Sequence, residues 1–527
     1  MLNTPLAWRG MVTSPHHLAS GAGLEILKAG GTAVEACVAI AAALAVAYPH
    51  MTGIGGDGFW LIHEPDGQVW AIDACGPAAQ KADLAFYEGH KTIPWRGPLA
   101  ANTVAGTIGG WRLALESSGA TLPLARLLEP AIALAEGGVA VTRGGAEIAK
   151  AKSAELRPLP GGYAAVFEPA GRPLQAGERL CQPQLAQTLR TLAADGLESF
   201  YQGPLGALIA ADLASVGSPL SAADLGAYKP QAVTPLQAGI KGATLFNLPP
   251  PTQGVAALTI LALFDRLAHG GQVDGFAHIH GLIEATKQAF LWRDEHCGDP
   301  AYMTESAQAL LDNPARLDEM ARRINPAKAL PWPQPSAWGD TTWFAAADAR
   351  GQVVSCIQST YFEFGSGVVL PRTGVTWQNR GTSFRLAKEG WNALRPGRKP
   401  FHTLNPALAK FADGRVMAYG TMGGEGQPQT QSAIFSRYGY YNMPLQEALS
   451  APRWLLGRAW GDHSTTLKLE NRFDPHLIQA LQQAGHEVEM LPAWSSLVGH
   501  AGAIVRHEAG LLEGASDPRS DGAVAAF

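Results

Sequence analysis

After Ser14-Pro15, apolar residues recur at helical spacing through Leu18, Ala22, Leu24, Ile26 and Leu27 and stop at Gly30-Gly31, which predicts a helix with a glycine C-cap. Thr32 then opens "TAVE", a capping box in which the Thr32 hydroxyl and the Glu35 carboxylate satisfy each other's backbone donors. The run that follows, "ACVAIAAALAVAY" (36–48), is apolar all round, so a buried second helix is expected. It is too short to cross a bilayer, which takes about 20 residues. From about 100 to 335 the period stays mostly helical, in "TIGGWRLALESSG", "LARLLEPAIALAEGG", "QPQLAQTLRTLAADG", "LGALIAADLASVG" and "DGFAHIHGLIEATKQAFLWRDEH". "FNLPPPTQG" (246–254) interrupts it as a stiff loop. After 340 the period shortens to two. "TTWFAAAD" and "QVVSCIQST" flank "ARG" as the arms of a hairpin, and "GVVLPRTGVTWQNR", "NPALAKFADGRVMAYG", "TLKLE" and "HAGAIVRH" add further strands.

The chain has 527 residues, 46% apolar and 16% charged, with 60 Gly and 37 Pro, the composition of a compact, turn-rich protein. Its net charge of −5 and the lack of a Lys/Arg run give no electrostatic footing for nucleic acid or an anionic membrane, so a small-molecule partner is expected. The five cysteines are scattered without a CxxC pair, which argues against a disulfide framework or a zinc knuckle and for a reducing compartment. "MLNTPLAWRGMVTSPHH" has no basic stretch leading into an apolar one, and a cytoplasmic location is expected.

Two motifs invite cofactor readings and do not sustain them. Gly53, Gly55 and Gly58 spell GxGxxG, but here the motif runs from a helix into the strand-like "FWLIH", the reverse of a dinucleotide site, so a turn with close backbone approach is preferred. His278, His280 and Glu284 offer metal-ligand chemistry, yet no third well-spaced ligand follows His280 and Glu284 on their helix face. No cofactor and no metal is expected.

The nucleophile is harder to find. No GxSxG elbow occurs, since "FGSGV" has the wrong spacing. What remains is "GDTTWF", where the proline-rich "PWPQPS" gives way to a strand. A threonine there is commonly just a β-branched strand starter. Cleavage of the Asp340–Thr341 bond would change its chemistry: the freed α-amine titrates near ~8 and can accept the proton of its own hydroxyl, directly or through water. The same hydroxyl can attack the carbonyl of Asp340, and Gly339 tolerates the backbone geometry that this needs. In "RVMAYGTMGGEGQPQTQSAIF" (415–435) a strand runs into Gly423-Gly424 before a helix begins near Pro428. That arrangement fits an oxyanion hole as well as a plain turn.

Seven separated motifs, "MTGIGGDGF", "LPPPTQG", "GDTTWF", "FGSGVVLPRTG", "RKPFHTLNPAL", "TMGGEGQPQ" and "GASDPRSDGA", together resemble the γ-glutamyltransferase family of N-terminal-nucleophile hydrolases. The resemblance implies an α+β fold, an αββα sandwich formed by two chains cut from one precursor: a large α-rich subunit, 1–340, and a small β-rich subunit, 341–527, paired as a dimer of heterodimers. It implies Thr341 as nucleophile, Ser359 as the hydroxyl supporting it, and Gly423 and Gly424 as the oxyanion hole. Departures from the family redirect the substrate. Cys75 replaces the arginine that grips an α-carboxylate, Thr382 and Ser383 replace the acidic pair that receives an α-amino group, and Tyr361 replaces an asparagine. Without those partners an amino-acid head group is costly to bury. Arg380, new where the family has glutamine, can hold a carboxylate in two parallel hydrogen bonds, unless it pairs with an acid such as Glu363 or Glu425. Tyr361, Trp377 and His402 narrow the expected site, His402 as a ligand group or only as wall; Asn379 and Thr403 complete the substrate-binding set. The expected partner is a small anionic amide without an ammonium group. The chain most resembles the branch that hydrolyses oxamate to oxalate and ammonia in bacterial purine breakdown; a γ-glutamyl hydrolase or transpeptidase acting on glutathione, and a cephalosporin-type acylase, are the alternatives.

Overall fold

A computed structural model describes residues 3–267, 271–332, 340–457 and 465–527. Its centre follows from the two-residue period. In the strand Asp340–Asp348, Phe344 and Ala346 face a core shared with the helix Ala33–Ala47, whereas Trp343, Ala345 and Ala347 face a core enclosed between two sheets. Val353–Tyr361, its hairpin partner, divides the same way, with Val354 and Cys356 toward the helix and Val353 and Ile357 toward the inner core.

One seven-stranded sheet runs in the order Ala523–Ala526, Gly10–Ser14, Asp340–Asp348, Val353–Tyr361, Asp57–His63, Val69–Ala74 and Gln231–Val233. The other runs Leu6–Ala7, Leu512–Ser516, Ala501–Arg506, Val416–Thr421, Ala407–Phe411, Ala243–Asn247 and Leu236–Ile240. Both are antiparallel throughout. His17–Lys28 and Ala33–Ala47 cover the first sheet; Gly254–Phe264 and Gly426–Phe435 cover the second. The stack is the αββα sandwich of N-terminal-nucleophile hydrolases. Trp343 locks the two sheets together: a Cβ at Gly420 would lie 2.2 Å from its indole and one at Gly502 2.5 Å, so both glycines are required for the ring to fit.

The predicted helices are present, and Thr32 and Glu35 form the capping box, with Oγ1 accepting from Glu35 N at 3.2 Å and Oε2 accepting from Thr32 N at 2.7 Å. The GxGxxG segment is a close-approach turn: a Cβ at Gly55 would meet the Thr376 carbonyl at 2.4 Å, and one at Gly56 the Ser359 carbonyl at 2.0 Å. Two expectations differ from the fold. The stretch read as mainly helical contains the strands Gln231–Val233, Leu236–Ile240 and Ala243–Asn247, which close the sheet edges and are too short for their alternation to stand out. "GVVLPRTGVTWQNR" is no ladder strand; it folds back on itself, with Leu370 N donating to Val375 O and Gly374, at φ +69°, donating to Leu370 O.

Candidate active site

The chain is continuous from Asp340 to Thr341 within one strand, so the Thr341 nitrogen is an amide; residues 333–339, including Gly339 and most of the proline-rich spacer, lie outside the described residues. The pairing slips at this point. Asp340 pairs with Tyr361 and Thr342 with Gln358, leaving Ser359 and Thr360 opposite the single residue Thr341, a β-bulge at the predicted scissile bond. Tyr361 has φ +85°, a conformation that L residues rarely adopt, and its N–H donates to Ser359 Oγ at 2.7 Å. Thr341 is buried, and its hydroxyl accepts a long hydrogen bond, 3.4 Å, from Gln427 Nε2. Gln427 is held in turn, its Oε1 accepting from both Asn405 N and Asn405 Nδ2.

Gly423 and Gly424 follow the strand Val416–Thr421 at φ +118° and +53° and lead into the helix Gly426–Phe435. At Gly423 an added Cβ would have room, 3.6 Å from Gly499, so the backbone conformation, not crowding, demands glycine. A buried chain of hydrogen bonds fixes this turn. Gln253 Nε2 donates to the carbonyls of Gly424 and Thr403, both at 2.8 Å; Arg293 Nη1 donates to Gln253 Oε1 at 2.8 Å and Nη2 pairs with Glu425 at 2.9 Å.

Arg380 is buried. Its guanidinium carbon lies 3.4 Å from the Tyr361 ring centroid, and Nη1 donates to Thr403 Oγ1 at 3.1 Å. Nε and Nη2 have no hydrogen-bond partner among the described residues. Neither acid considered from the sequence reaches it: Glu363 pairs with Arg96 at 3.3 Å and Lys152 at 3.5 Å, and Glu425 with Arg293. Burial disfavours its charge, and Tyr361, Cys75 and Asp57 partly restore it. Cys75 and Arg380, 305 positions apart in the chain, border one cluster: Cys75 Sγ lies within 4.8 Å of the Asp57 and His402 ligand atoms, and Arg380 bonds Thr403 next to His402. Asn379 borders the same wall with both ends of its amide on backbone groups, Phe362 N and Trp95 O. Thr382 and Ser383 donate to the carbonyls of Asn379 and Phe401.

His402 Nε2 lies 3.1 Å from Asp57 Oδ2, and both residues are buried. Burial and the Arg380 charge hold the imidazole well below its ordinary pKa, while burial pushes the Asp57 carboxyl up to about 7 against hydrogen bonds from Gly76, Gln378 and Gly106 and the Arg380 charge. Cys75 Sγ joins these two within 4.8 Å, its thiol pushed up by burial. The Arg380 charge and the donors already on the Asp57 carboxylate, from Gly76, Gly106 and Gln378, disfavour a cation among these three groups. The second constellation has the same character. The fold brings His486 to His280, 2.9 Å apart, as the third ligand absent from the local sequence, but Lys287 Nζ sits 2.6 Å from Glu284 where a metal would. His278 turns away to Ser436.

Asp57, Gln253, Arg293 and Gln427 escaped the sequence reading. One signal was available: Gly426–Phe435 is buried on every side yet carries Gln427, Gln429, Thr430, Gln431 and Ser432, polar groups that require a built network.

A family model described as gamma-glutamyltranspeptidase matches residues 19–527. The chain is 51% identical to the oxamate amidohydrolase proenzyme of Klebsiella pneumoniae, covering 100% of both, and 39% identical to the glutathione hydrolase-like YwrD proenzyme of Bacillus subtilis, covering 99% of both. Among solved structures, cephalosporin acylase from Bacillus halodurans matches with a TM-score of 0.91 at 34% identity, covering 100% of this chain and 97% of that one. No helix among the described residues is long and apolar enough to cross a membrane. The chain belongs to the γ-glutamyltranspeptidase family of N-terminal-nucleophile hydrolases, enzymes that cleave amide bonds.

Proposed function

We propose that this protein is a self-processing amidohydrolase that converts oxamate to oxalate and ammonia. The observation that carries the substrate reading is the buried Arg380 guanidinium with Nε and Nη2 unpartnered, a fork suited to one small carboxylate. Among the described residues, the acid that bears on it has its oxygens taken: those of Asp57 are occupied by Gly76, Gly106, Gln378 and His402. An anion without an ammonium therefore fits the pocket better than a γ-glutamyl group. The 51% identity to an oxamate amidohydrolase proenzyme agrees with that chemistry.

Maturation starts when Thr341 Oγ1 attacks the Asp340 carbonyl at the bulge, forming an ester that water opens to give 1–340 and 341–527. The new α-amine then serves as base. With the oxamate carboxylate against Arg380, Thr341 Oγ1 adds to the amide carbon and passes its proton to the amine. The developing oxyanion meets the N–H groups of the Gly423-Gly424 turn. The amine returns the proton to the departing nitrogen, ammonia leaves, and water cleaves the oxalyl ester to release oxalate and restore the hydroxyl. The cytoplasm and purine breakdown are the setting that this substrate implies.

The test combines intact mass with a substrate panel. Two fragments meeting at Asp340/Thr341, and ammonia release from oxamate far faster than hydrolysis of a γ-glutamyl anilide or a glutaryl amide, are expected. Processed protein that prefers either of the latter would refute the oxamate assignment.

A further inference from the structure

Two contacts bring a further titratable group to Arg380: Gln378, two residues before it, donates to Asp57, and Thr403, which accepts from Arg380, follows His402, whose Nε2 lies 3.1 Å from Asp57. Asp57 is fully buried at the start of Asp57–His63. Its Oδ1 accepts from Gly76 N and Gly106 N at 3.1 Å and from Gln378 Nε2 at 3.0 Å, and Oδ2 faces His402 Nε2. On the far side of the ring, Leu404 N–H approaches Nδ1 at 3.4 Å, which assigns the imidazole proton to Nε2. Among the described residues, the other titratable groups that face Asp57 are the Cys75 thiol and the Tyr201 and Tyr228 phenols, all pushed up by burial and neutral, with the Lys399–Asp73 ion pair at 2.6 Å beyond Cys75.

We propose that Asp57 is the counter-ion of Arg380 in the empty pocket, and that it takes up one proton, through His402, when a substrate carboxylate occupies the guanidinium. The proposal rests on Arg380 as the carboxylate clamp. Two carboxylates sharing one buried cation repel each other strongly where water is excluded, and a pair so placed sheds that repulsion by protonating one member. The substrate carboxylate, the stronger acid in the direct grip of the guanidinium, remains ionised. Asp57 is already poised, since burial holds its carboxyl at about 7 before any ligand arrives. The proton moves in two linked steps: one from solvent adds at His402 Nδ1, while the Nε2 proton passes to Asp57 Oδ2. One N–H and one O–H form, one N–H breaks, and the net uptake is one proton. The only contact given up is the long one from Leu404. Asp57 thereby makes the pocket neutral in both states and ties anion affinity to pH. Above neutrality each further pH unit costs about tenfold in affinity, because the empty carboxylate must first be neutralised.

The experiment uses processed enzyme and oxalate, the product, as a non-reacting anion. Calorimetric titration near pH ~8 in two buffers of different ionisation enthalpy counts protons, and inhibition constants against oxamate turnover are followed from slightly acidic to alkaline pH. Uptake of close to one proton, with an inhibition constant that rises about tenfold per unit above neutrality, is expected for the wild type. Asp57→Asn is expected to take up none and to give a flat profile. Undiminished uptake in Asp57→Asn would assign the proton to the Thr341 amine and overturn the proposal. Oxalate binding without uptake in the wild type would overturn it and leave the Arg380 clamp intact. A wild type that does not bind oxalate, together with an Arg380→Met variant unchanged on oxamate, would remove the clamp and this proposal with it. The wild-type titration decides the matter even if Asp57→Asn fails to mature.

Discussion

Around Gly424 each polar group closes on another: Gln253 joins two carbonyls to Arg293, Arg293 joins Gln253 to Glu425, and Gln427 links Asn405 to the Thr341 hydroxyl. Around Arg380, a few residues away through Thr403, two N–H donors of a buried cation are left open. The first region is complete without a ligand and the second is not. A buried hydrogen-bond network that is fully satisfied fixes geometry, which a reaction centre needs; an unsatisfied one stores affinity for whatever completes it. On this view the glycine side carries the chemistry common to the family, and the arginine side carries the choice of substrate.

The largest effect tests whether the two sides share one reaction centre. Thr341→Ala is expected to leave a single uncut chain on mass spectrometry and to lower amidohydrolysis by more than about 10³-fold, the scale seen when a nucleophile is removed. Cleavage at the same bond in that variant would disconnect the bulge from Thr341 and remove the basis for the comparison.

The candidate residues of the glycine side stand out in the sequence more than the arrangement around Arg380 does. Thr341 and the Gly423-Gly424 pair could be singled out from short motifs, a bond to be cut and a turn with bare N–H groups, whereas Ser359 and the roles assigned to all of them came from the family resemblance. Their supports, Gln253, Arg293 and Gln427, come from three separate segments and acquire a role only when buried against one another. The pocket shows the point more sharply. In sequence, an arginine is lost at Cys75 and another gained at Arg380, two events with no visible connection. In the fold both positions border the Asp57–His402 cluster, so a cation that the family resemblance leads one to expect at Cys75 has a counterpart in Arg380. The same limit explains the missed strands between 231 and 247, three to five residues long, of which only Leu236–Ile240 alternates in burial.

Second in size is the loss of that cation. Arg380→Met is expected to mature normally and to lose about 10²- to 10³-fold in kcat/KM on oxamate, equivalent to about 3–4 kcal/mol of binding to the carboxylate. Its melting temperature is not expected to fall. A buried charge with open donors is costly in the empty protein, and an apolar side chain of similar length removes that cost while keeping the contact with Tyr361. A variant that is both inactive and unstable would mean that the guanidinium is a structural strut, and the contrast between the two regions would fail.

The smallest effect on activity comes from Gln253→Ala, on the closed side, and its stability change has the opposite sign. Gln253 does not reach Thr341 or Arg380 through any hydrogen bond; it holds the Gly424 and Thr403 carbonyls and receives Arg293. Truncation leaves two buried carbonyls and one guanidinium N–H without a partner, each worth about 1–3 kcal/mol when stranded, so a clear drop in melting temperature is expected. The Gly424 turn loosens, and under the oxyanion role proposed for its N–H groups kcat is expected to fall about tenfold with KM little changed. The pair of variants therefore crosses: Arg380→Met loses substrate selection and keeps stability, whereas Gln253→Ala keeps selection and loses stability. A Gln253→Ala enzyme with normal melting and a raised KM would show that the network around Gly424 belongs to substrate binding, and that the division drawn between the two regions lies elsewhere in the site.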